Sequence, residues 1–542
     1  MRNSAIRLFL LLFLFIYNFS FSQQNNKNAL KDLEYKINVV LADKNVTKSK
    51  HSIAVWSLDK KAFLYKKNIE TPLTPASTTK IFTTFCALAA MGADYKIKTE
   101  IYTDAQVLKN GVVDGNLYLI GKGYPLLCED DIKYMANYLK SIGINEITGS
   151  IYIDDTYFDK TMGRKNYSGD KDEVEPIPPI SALSLNNNTA IISISNRAGK
   201  MTASVTPSAY PALKTLLNVR EVKTQKEAVT KKNISPKKQT KKQSHTKVIS
   251  KTKKNNKHKV SYLFQSQQRY GDAPPAPKIK YRKPSISIMP KLQTDGSQVF
   301  SIFGNLSKGQ NLIYKCFIQN PALVVATSLK NQLNNAGIKV NKGIDYKKYE
   351  KSPKFRITQP LTSVHHDLAE VVTLANKNSD NYLAESIFKL FGAFSGGSAD
   401  CAKKAREQEQ EIFSRYKINS KGMVINDGSG LSRRNLITSS ALIGLLDAAT
   451  KLNIFDTFEN SLSIAGEDGT LRKRMRGTAA EENVHAKTGT LKNASSLTGY
   501  MITSSGERLA FAFMFNGPNV GYYKKTENKL TAILAEFSYI SK

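Results

Sequence analysis

The stretch Thr74-Pro75-Ala76-Ser77-Thr78-Thr79-Lys80, followed by the apolar run from Ile81 to Ala90, constrains this chain more than any other. Pro75 sets a turn, and the run behind it has helical character, so Ser77 falls near a helix start. Residues three apart share a helix face, which puts the Lys80 amine beside the Ser77 hydroxyl. A serine hydroxyl is a poor nucleophile until a neighbouring base takes its proton. Lysine is such a base only when neutral, which requires burial or a nearby positive charge. A fold that uses the pair must therefore bury Lys80 or set another cation beside it. The helix start also offers backbone N–H groups that suit a developing oxyanion.

Ser-x-x-Lys recurs at Ser57/Lys60, Ser235/Lys238 and Ser386/Lys389, and for any single copy the plain reading is solvated surface. What separates the Ser77 copy is its company: Asn378-Ser379-Asp380-Asn381 downstream and His485-Ala486-Lys487-Thr488-Gly489-Thr490 further on. Residues 368–375 and 382–388 both read as helices. Ser379 and Asn381 then sit at a break where side chains project into a cleft. Residues 483–490, 495–503 and 508–516 read as consecutive antiparallel strands. Lys487-Thr488-Gly489 falls on the first of them, and Gly489 lets a substrate backbone approach closely. Each group alone has a plain reading: Ser379 as a helix N-cap, Asn381 as polar surface, Lys487 as a strand-edge charge. Together, Ser-x-x-Lys, Ser-Asp-Asn and Lys-Thr-Gly in this order resemble the signature of penicillin-binding proteins and class A β-lactamases.

Arg2 and Arg7 precede the apolar run 8–16, and Ser20 and Ser22 stand at the −3 and −1 positions of a cut before Gln23. That is the pattern of a cleaved secretory signal over 1–22; the run is short for a membrane span, and a retained anchor is the alternative. Export places the protein in the periplasm or cell envelope and permits disulfides. The cysteines Cys86, Cys128, Cys316 and Cys401 match no metal spacing. They read as buried thiols, with one disulfide allowed and its pairing open.

A formal net charge of +34 raises nucleic acid as a partner. The distribution argues against it. Between Arg220 and Lys283 stand 20 Lys or Arg against 3 Asp or Glu, so half of the excess, +17, sits in one low-complexity stretch. Such a composition cannot bury enough apolar surface to offset its ordering entropy. Residues 221–284 read as a basic, disordered insertion; the functional reading is adhesion to a polyanion, either an anionic surface polymer or lipid headgroups.

Elsewhere, helical spacing marks 30–41, 130–142, 321–336 and 438–450. Strand patterns mark 52–58, 62–65, 115–121, 149–155, 184–195, 201–205, 285–289 and 299–303. Trp56, the only tryptophan, reads as core. Asp154 and Asp155 read as turn residues or as substrate-facing beside a diamino acid side chain.

Two further stretches narrow the resemblance. Asn426-Asp427-Gly428-Ser429-Gly430-Leu431-Ser432-Arg433 looks like the DGSGLSR-type loop of the low-molecular-mass class C penicillin-binding proteins, the D-Ala-D-Ala carboxypeptidase/endopeptidase family. Ala465-Gly466-Glu467-Asp468-Gly469-Thr470-Leu471 looks like that family's AGxDGTL segment. The long insertion between the first two motifs is also similar, and class A β-lactamases lack it. The resemblance covers 30–220 and 285–542. It departs over 164–179, where the family's tryptophan-containing segment has no tryptophan here.

The resemblance implies an α/β fold: a transpeptidase/β-lactamase-like penicillin-binding domain with an antiparallel sheet and helices on both sides, interrupted by mostly β accessory domains. The catalytic domain would be discontinuous, 24–95 with 310–542, and the accessory domains 96–220 and 285–309. It implies acyl transfer on peptidoglycan stem peptides. Ser77 attacks the carbonyl of the penultimate D-Ala, and Lys80 is the base, kept neutral in part by Lys487. Ser379 relays the proton to the leaving amine, and Asn381 holds the substrate amide. Lys487 and Thr488 bind the terminal carboxylate; the N–H groups of Ser77 and Thr490, beside Gly489, form the oxyanion hole. β-Lactam antibiotics would acylate the same serine. No metal, cofactor or nucleic acid is implied. The alternatives are a β-lactamase-type hydrolase, which deacylates quickly, and an inactive cell-wall-binding protein, which loses a motif residue; every motif residue is present here.

Overall fold

The structure, a computed structural model, describes residues 26–106, 108–222, 285–352 and 357–539. The leader expected over 1–22 and nearly all of the basic stretch 221–284 lie outside the described residues. Among those described, no helix is long and apolar enough to cross a membrane.

At the centre is a six-stranded antiparallel sheet. Its order is Ser463–Ile464, His485–Leu491, Ala494–Ile502, Arg508–Asn516, Lys50–Ser57 and Ala62–Lys67. The last three C-terminal strands and the two N-terminal ones are those the alternating patterns indicate. The inner strands are buried on both faces, so both sides of the sheet are covered. Ile53, Val55, Phe511, Phe513 and Phe515 point to one side. There the helix 26–41 contributes Leu33, Ile37 and Leu41, and the helix Val520–Ala535 contributes Tyr523, Leu530 and Leu534. On the opposite side the helix Ser439–Ala449 packs, with the Ser52 and Ser439 hydroxyls bonded and the Tyr500 hydroxyl donating to the Leu446 carbonyl at 2.9 Å. Trp56 is only partly buried, contrary to the core reading. It packs edge-on against Phe63 and its indole N–H reaches Asp447 at 3.2 Å, so the ring serves the sheet edge.

The described residues divide into two compact units, 1–188 with 332–542, and 189–331. In the first, a second sheet runs in the order Ile344–Tyr346, Ile151–Asp154, Leu117–Gly121, Lys96–Thr103, Thr362–Asp367. Leu117–Gly121 and Ile151–Asp154 are parallel, which demands a crossover; the helix Glu129–Ser141 supplies it. Asp154 closes the turn after its strand, accepting from the Thr156 N–H at 3.0 Å, and Asp155 pairs with Lys160 at 2.5 Å. The second unit carries two three-stranded sheets. One is Lys200–Thr206, Thr189–Arg197, Asn311–Phe317; the other is Leu213–Val222, Gln298–Ser307, Ser285–Leu292. The strands between 310 and 367 thus pair with strands of the accessory region rather than with the central sheet, although 310–542 was expected to be catalytic. Ladder pairing across 200 residues leaves no trace in a local pattern. All four cysteines are free thiols, Cys86 and Cys401 buried, so the allowed disulfide does not form.

Candidate active site

The chain turns at Ala76, with φ 53°, into a short 3-10 turn, Ala76–Thr78, that continues as the helix Thr79–Met91. Left-handed backbone at alanine is strained and persists only where its surroundings impose it. Here the 426–435 loop does so. Gly430, with φ 82°, lies so close to the Ala76 carbonyl that any Cβ would overlap the oxygen. Gly489 packs from the other side. A Cβ there would collide with the Pro75 carbonyl and stand 3.2 Å from the Ser77 nitrogen. The close approach seen at Gly489 is that of the chain's own helix start.

Ser77 is half-buried and Lys80 wholly buried. The Lys80 Nζ lies 3.1 Å from Ser77 Oγ, 2.7 Å from Asn381 Oδ1 and 2.7 Å from the Ser429 carbonyl oxygen. A neutral amine has two N–H groups and one lone pair. The two carbonyl oxygens take the N–H groups and the lone pair is left for the serine hydroxyl. Burial lowers the Lys80 pKa from 10.5 to about 8, against the opposing pull of Glu385, Asp427, Asp380 and Glu175.

Lys487 is equally buried, and its Nζ lies 2.8 Å from Ser379 Oγ and 3.0 Å from the Thr488 carbonyl. Its pKa falls well below the ordinary lysine value, first through burial and then through the charge of Lys80. Like-charge repulsion between the two amines is mutual, so each disfavours protonation of the other. Ser379 has a left-handed backbone, φ 53°, at the break between the helices Leu368–Lys377 and Asn381–Gly396. The N-cap task falls to Asp380, whose Oδ1 accepts from the Leu383 N–H at 2.9 Å. Asn381 is split between two partners, its Oδ1 on Lys80 and its Nδ2 3.4 Å from Glu175 Oε2.

Thr488 and the exposed Thr490 share one side of the strand His485–Leu491. Thr488 Oγ1 is 2.9 Å from Thr470 Oγ1, and Asp468 pairs with Lys377. The 465–471 segment therefore flanks the strand just before its glycine. All eight predicted residues, Ser77, Lys80, Ser379, Asn381, Lys487, Thr488, Gly489 and Thr490, lie on elements that meet at this place.

The sequence reading missed what holds the site. Glu385, fully buried, accepts from the N–H groups of Ser429 at 2.8 Å and Gly428 at 3.2 Å, and from the Tyr167 hydroxyl at 2.9 Å. It thereby fixes the Ser429 carbonyl that Lys80 contacts. Burial, then the neighbouring Asp427, push its pKa up to about 7. Asp427 accepts from Arg164 at 2.9 Å, Ser432 N–H at 2.8 Å and Asn435 at 2.8 Å. The signal was an acid inside the apolar run 382–391. The spare Ser-x-x-Lys at Ser386/Lys389 is also buried, not solvated: Ser386 bonds back to the Tyr382 carbonyl and Lys389 pairs with Asp159 at 3.1 Å.

A model of the D-Ala-D-Ala carboxypeptidase 3 (S13) family matches residues 33–272 and 288–537. The chain is 27% identical over 522 residues to a D-alanyl-D-alanine carboxypeptidase of Actinomadura sp. (strain R39), covering 94% of this chain and 85% of that protein. It is 24% identical over 465 residues to the D-alanyl-D-alanine carboxypeptidase DacB of Haemophilus influenzae, 84% of this chain and 82% of that one. The crystal structure of penicillin binding protein 4 (dacB) from Haemophilus influenzae has the same fold. It aligns with a TM-score of 0.64 at 20% identity, over 94% of this chain and 99% of that chain.

Proposed function

The chain belongs to the D-Ala-D-Ala carboxypeptidase 3 (S13) family, and we propose that its reaction runs through an acyl-enzyme on Ser77. The activity is that of a serine-type, penicillin-binding D-Ala-D-Ala carboxypeptidase acting on peptidoglycan stem peptides. The observation that carries the residue assignment is the Lys80 amine, buried, 3.1 Å from Ser77 Oγ, with both of its N–H directions occupied by carbonyl oxygens.

In this reading neutral Lys80 takes the Ser77 proton as Oγ attacks the carbonyl carbon of the penultimate D-Ala. The N–H groups of Ser77 and Thr490 stabilise the oxyanion, each worth about 2.7–4 kcal/mol. Ser379, in contact with Lys487, passes a proton to the leaving amine. Lys487 and Thr488 hold the substrate carboxylate, whose negative charge draws a proton back onto Lys487. Asn381 orients the Lys80 amine and the substrate amide. Water then attacks the ester and releases the shortened peptide. A carboxylate beside the scissile amide is present both in a pentapeptide terminus and at the D-centre of a cross-linking diamino acid. One site therefore serves carboxypeptidase and endopeptidase cleavage alike.

The central sheet supports a discontinuous catalytic domain built from 24–95 and the C-terminal part of the chain. The Arg-flanked apolar leader 1–22 fits export to the periplasm or cell envelope, where the substrate lies. Mass spectrometry of purified muropeptides before and after incubation tests the function. Loss of one D-Ala from pentapeptides is expected. Steady-state turnover of penicillin with no change in muropeptides would make the protein a β-lactamase instead.

A further inference from the structure

The second unit, 189–331, contains the sheet Leu213–Val222, Gln298–Ser307, Ser285–Leu292. One of its faces is buried through Ile286, Phe300, Ile302 and Leu306. The other faces water. Its register sets out cross-strand rows there: Lys214, Val299 and Lys291; then Leu216, Ser301 and Met289; then Asn218, Phe303 and Ser287; then Arg220, Asn305 and Ser285. Leu216 is 60%, Met289 61% and Phe303 40% exposed. The face thus sets three large apolar side chains among small polar ones at its centre, with basic residues at both ends; the rows hold no carboxylate, and Asp295 in the adjoining turn lies near Lys214. Monomers rarely leave contiguous apolar patches uncovered without a use for them.

The basic stretch is attached to this same sheet. The chain leaves it at Val222 and re-enters at Ser285, on the two outer strands, and both points lie at the Asn305–Ser307 end of the middle strand. The balance of +17 over 220–283 is therefore tethered at the edge of the apolar face.

We propose that this face docks on an anionic lipid surface, with Leu216, Met289 and Phe303 entering the headgroup region and Lys214, Arg220 and Lys291 meeting lipid phosphates. A modest apolar insertion and an electrostatic attraction each give weak binding, and the two together give stable attachment. A second copy of the chain is a poor occupant, because a two-fold contact would set two cationic faces against each other. An anionic polymer has no use for the three apolar side chains.

The test is co-sedimentation of the purified chain, with and without residues 1–22, on vesicles of phosphatidylcholine containing about a third phosphatidylglycerol, at physiological salt. The triple variant Leu216→Ser/Met289→Ser/Phe303→Ser should bind about tenfold more weakly than wild type, as should Lys214→Ser/Arg220→Ser/Lys291→Ser, taking part of the per-charge contribution at such surfaces. Both variants should still hydrolyse a soluble peptide at the wild-type rate and keep the wild-type circular dichroism spectrum and melting transitions, which controls for folding of both units. Equal binding by wild type and the apolar variant would overturn the proposal in favour of the basic stretch alone. So would tight binding to soluble polyphosphate with none to vesicles, or a dimer in analytical ultracentrifugation that the apolar variant abolishes.

Discussion

Lys80 is suited to its task by the order of its contacts. Two carbonyl oxygens at 2.7 Å claim its N–H groups, and the remaining direction meets Ser77 at 3.1 Å. The amine accepts a proton only when neutral, and with a pKa of about 8 the neutral fraction grows tenfold per pH unit below that value and saturates above it. The second-order rate of penicillin acylation should therefore climb about tenfold between pH 6 and 7 and level off above about 8. A flat profile from pH 6 to 9, measured with enzyme shown to stay folded, would point to a different base. The adduct itself should map to Ser77, and Ser77→Ala should abolish labelling and turnover together. Lys487 makes a separable claim. Amidating the substrate carboxylate removes a charge-assisted hydrogen bond worth about 1.5–3 kcal/mol, so kcat/KM should fall by about 10- to 150-fold. Lys487→Ala should lose most of that discrimination. Equal cleavage of free and amidated substrates by the wild type would show that Lys487 does not read the carboxylate.

The Ser77 helix and the Lys487 strand are held together by the absence of a side chain. Gly489→Ala would push a methyl into the Pro75 carbonyl, which is backbone and cannot swing away. The relief is a shift of the Ser77 turn, and displacements of that size cost about 10²-fold in rate. Gly489→Ala should thus acylate about a hundred times more slowly while the chain stays folded, as followed by stopped-flow labelling and thermal melting. An unimpaired variant would mean the turn is not fixed by this contact. The central strands, the Ser77 helix and the helix break at Ser379 were all legible, because alternation, apolar periodicity and the bracketing motifs are local signals. Glu385, Asp427 and Arg164 were not. Glu385 ties the 426–435 loop to the helix Asn381–Gly396, while Asp427 holds the loop together and joins it to Arg164, and a buried acid in an apolar helix gives no hint of which backbone amides it will meet. The packing of Gly489 on the Pro75 carbonyl was hidden for the same reason: a glycine in a strand shows that something comes close, not what.

At the scale of the whole molecule, half of the excess charge sits in a different unit from the chemistry. Every residue proposed for catalysis or for holding the peptide substrate lies in 1–188 or 332–542, while the basic stretch leaves and re-enters the unit 189–331. Composition made the stretch visible and also obscured the domain limits, since strands as late as Thr362–Asp367 pair back to Lys96–Thr103. The separation yields a direct prediction. Val222 and Ser285 sit on strands either side of the middle strand, two strand spacings apart and offset by two residues along it, which is about 12 Å. A linker of about five Gly and Ser residues spans that gap without pulling either strand from its ladder. Replacing 223–284 with such a linker removes the charge and leaves both outer strands paired. kcat/KM on a small soluble peptide should change less than twofold, and the melting temperature should hold, because the stretch contributes no strand to the described sheets. Attachment to anionic surfaces, which salt screens, should weaken. A tenfold loss of soluble-peptide hydrolysis with an unchanged melting temperature would mean that the stretch takes part in the chemistry after all.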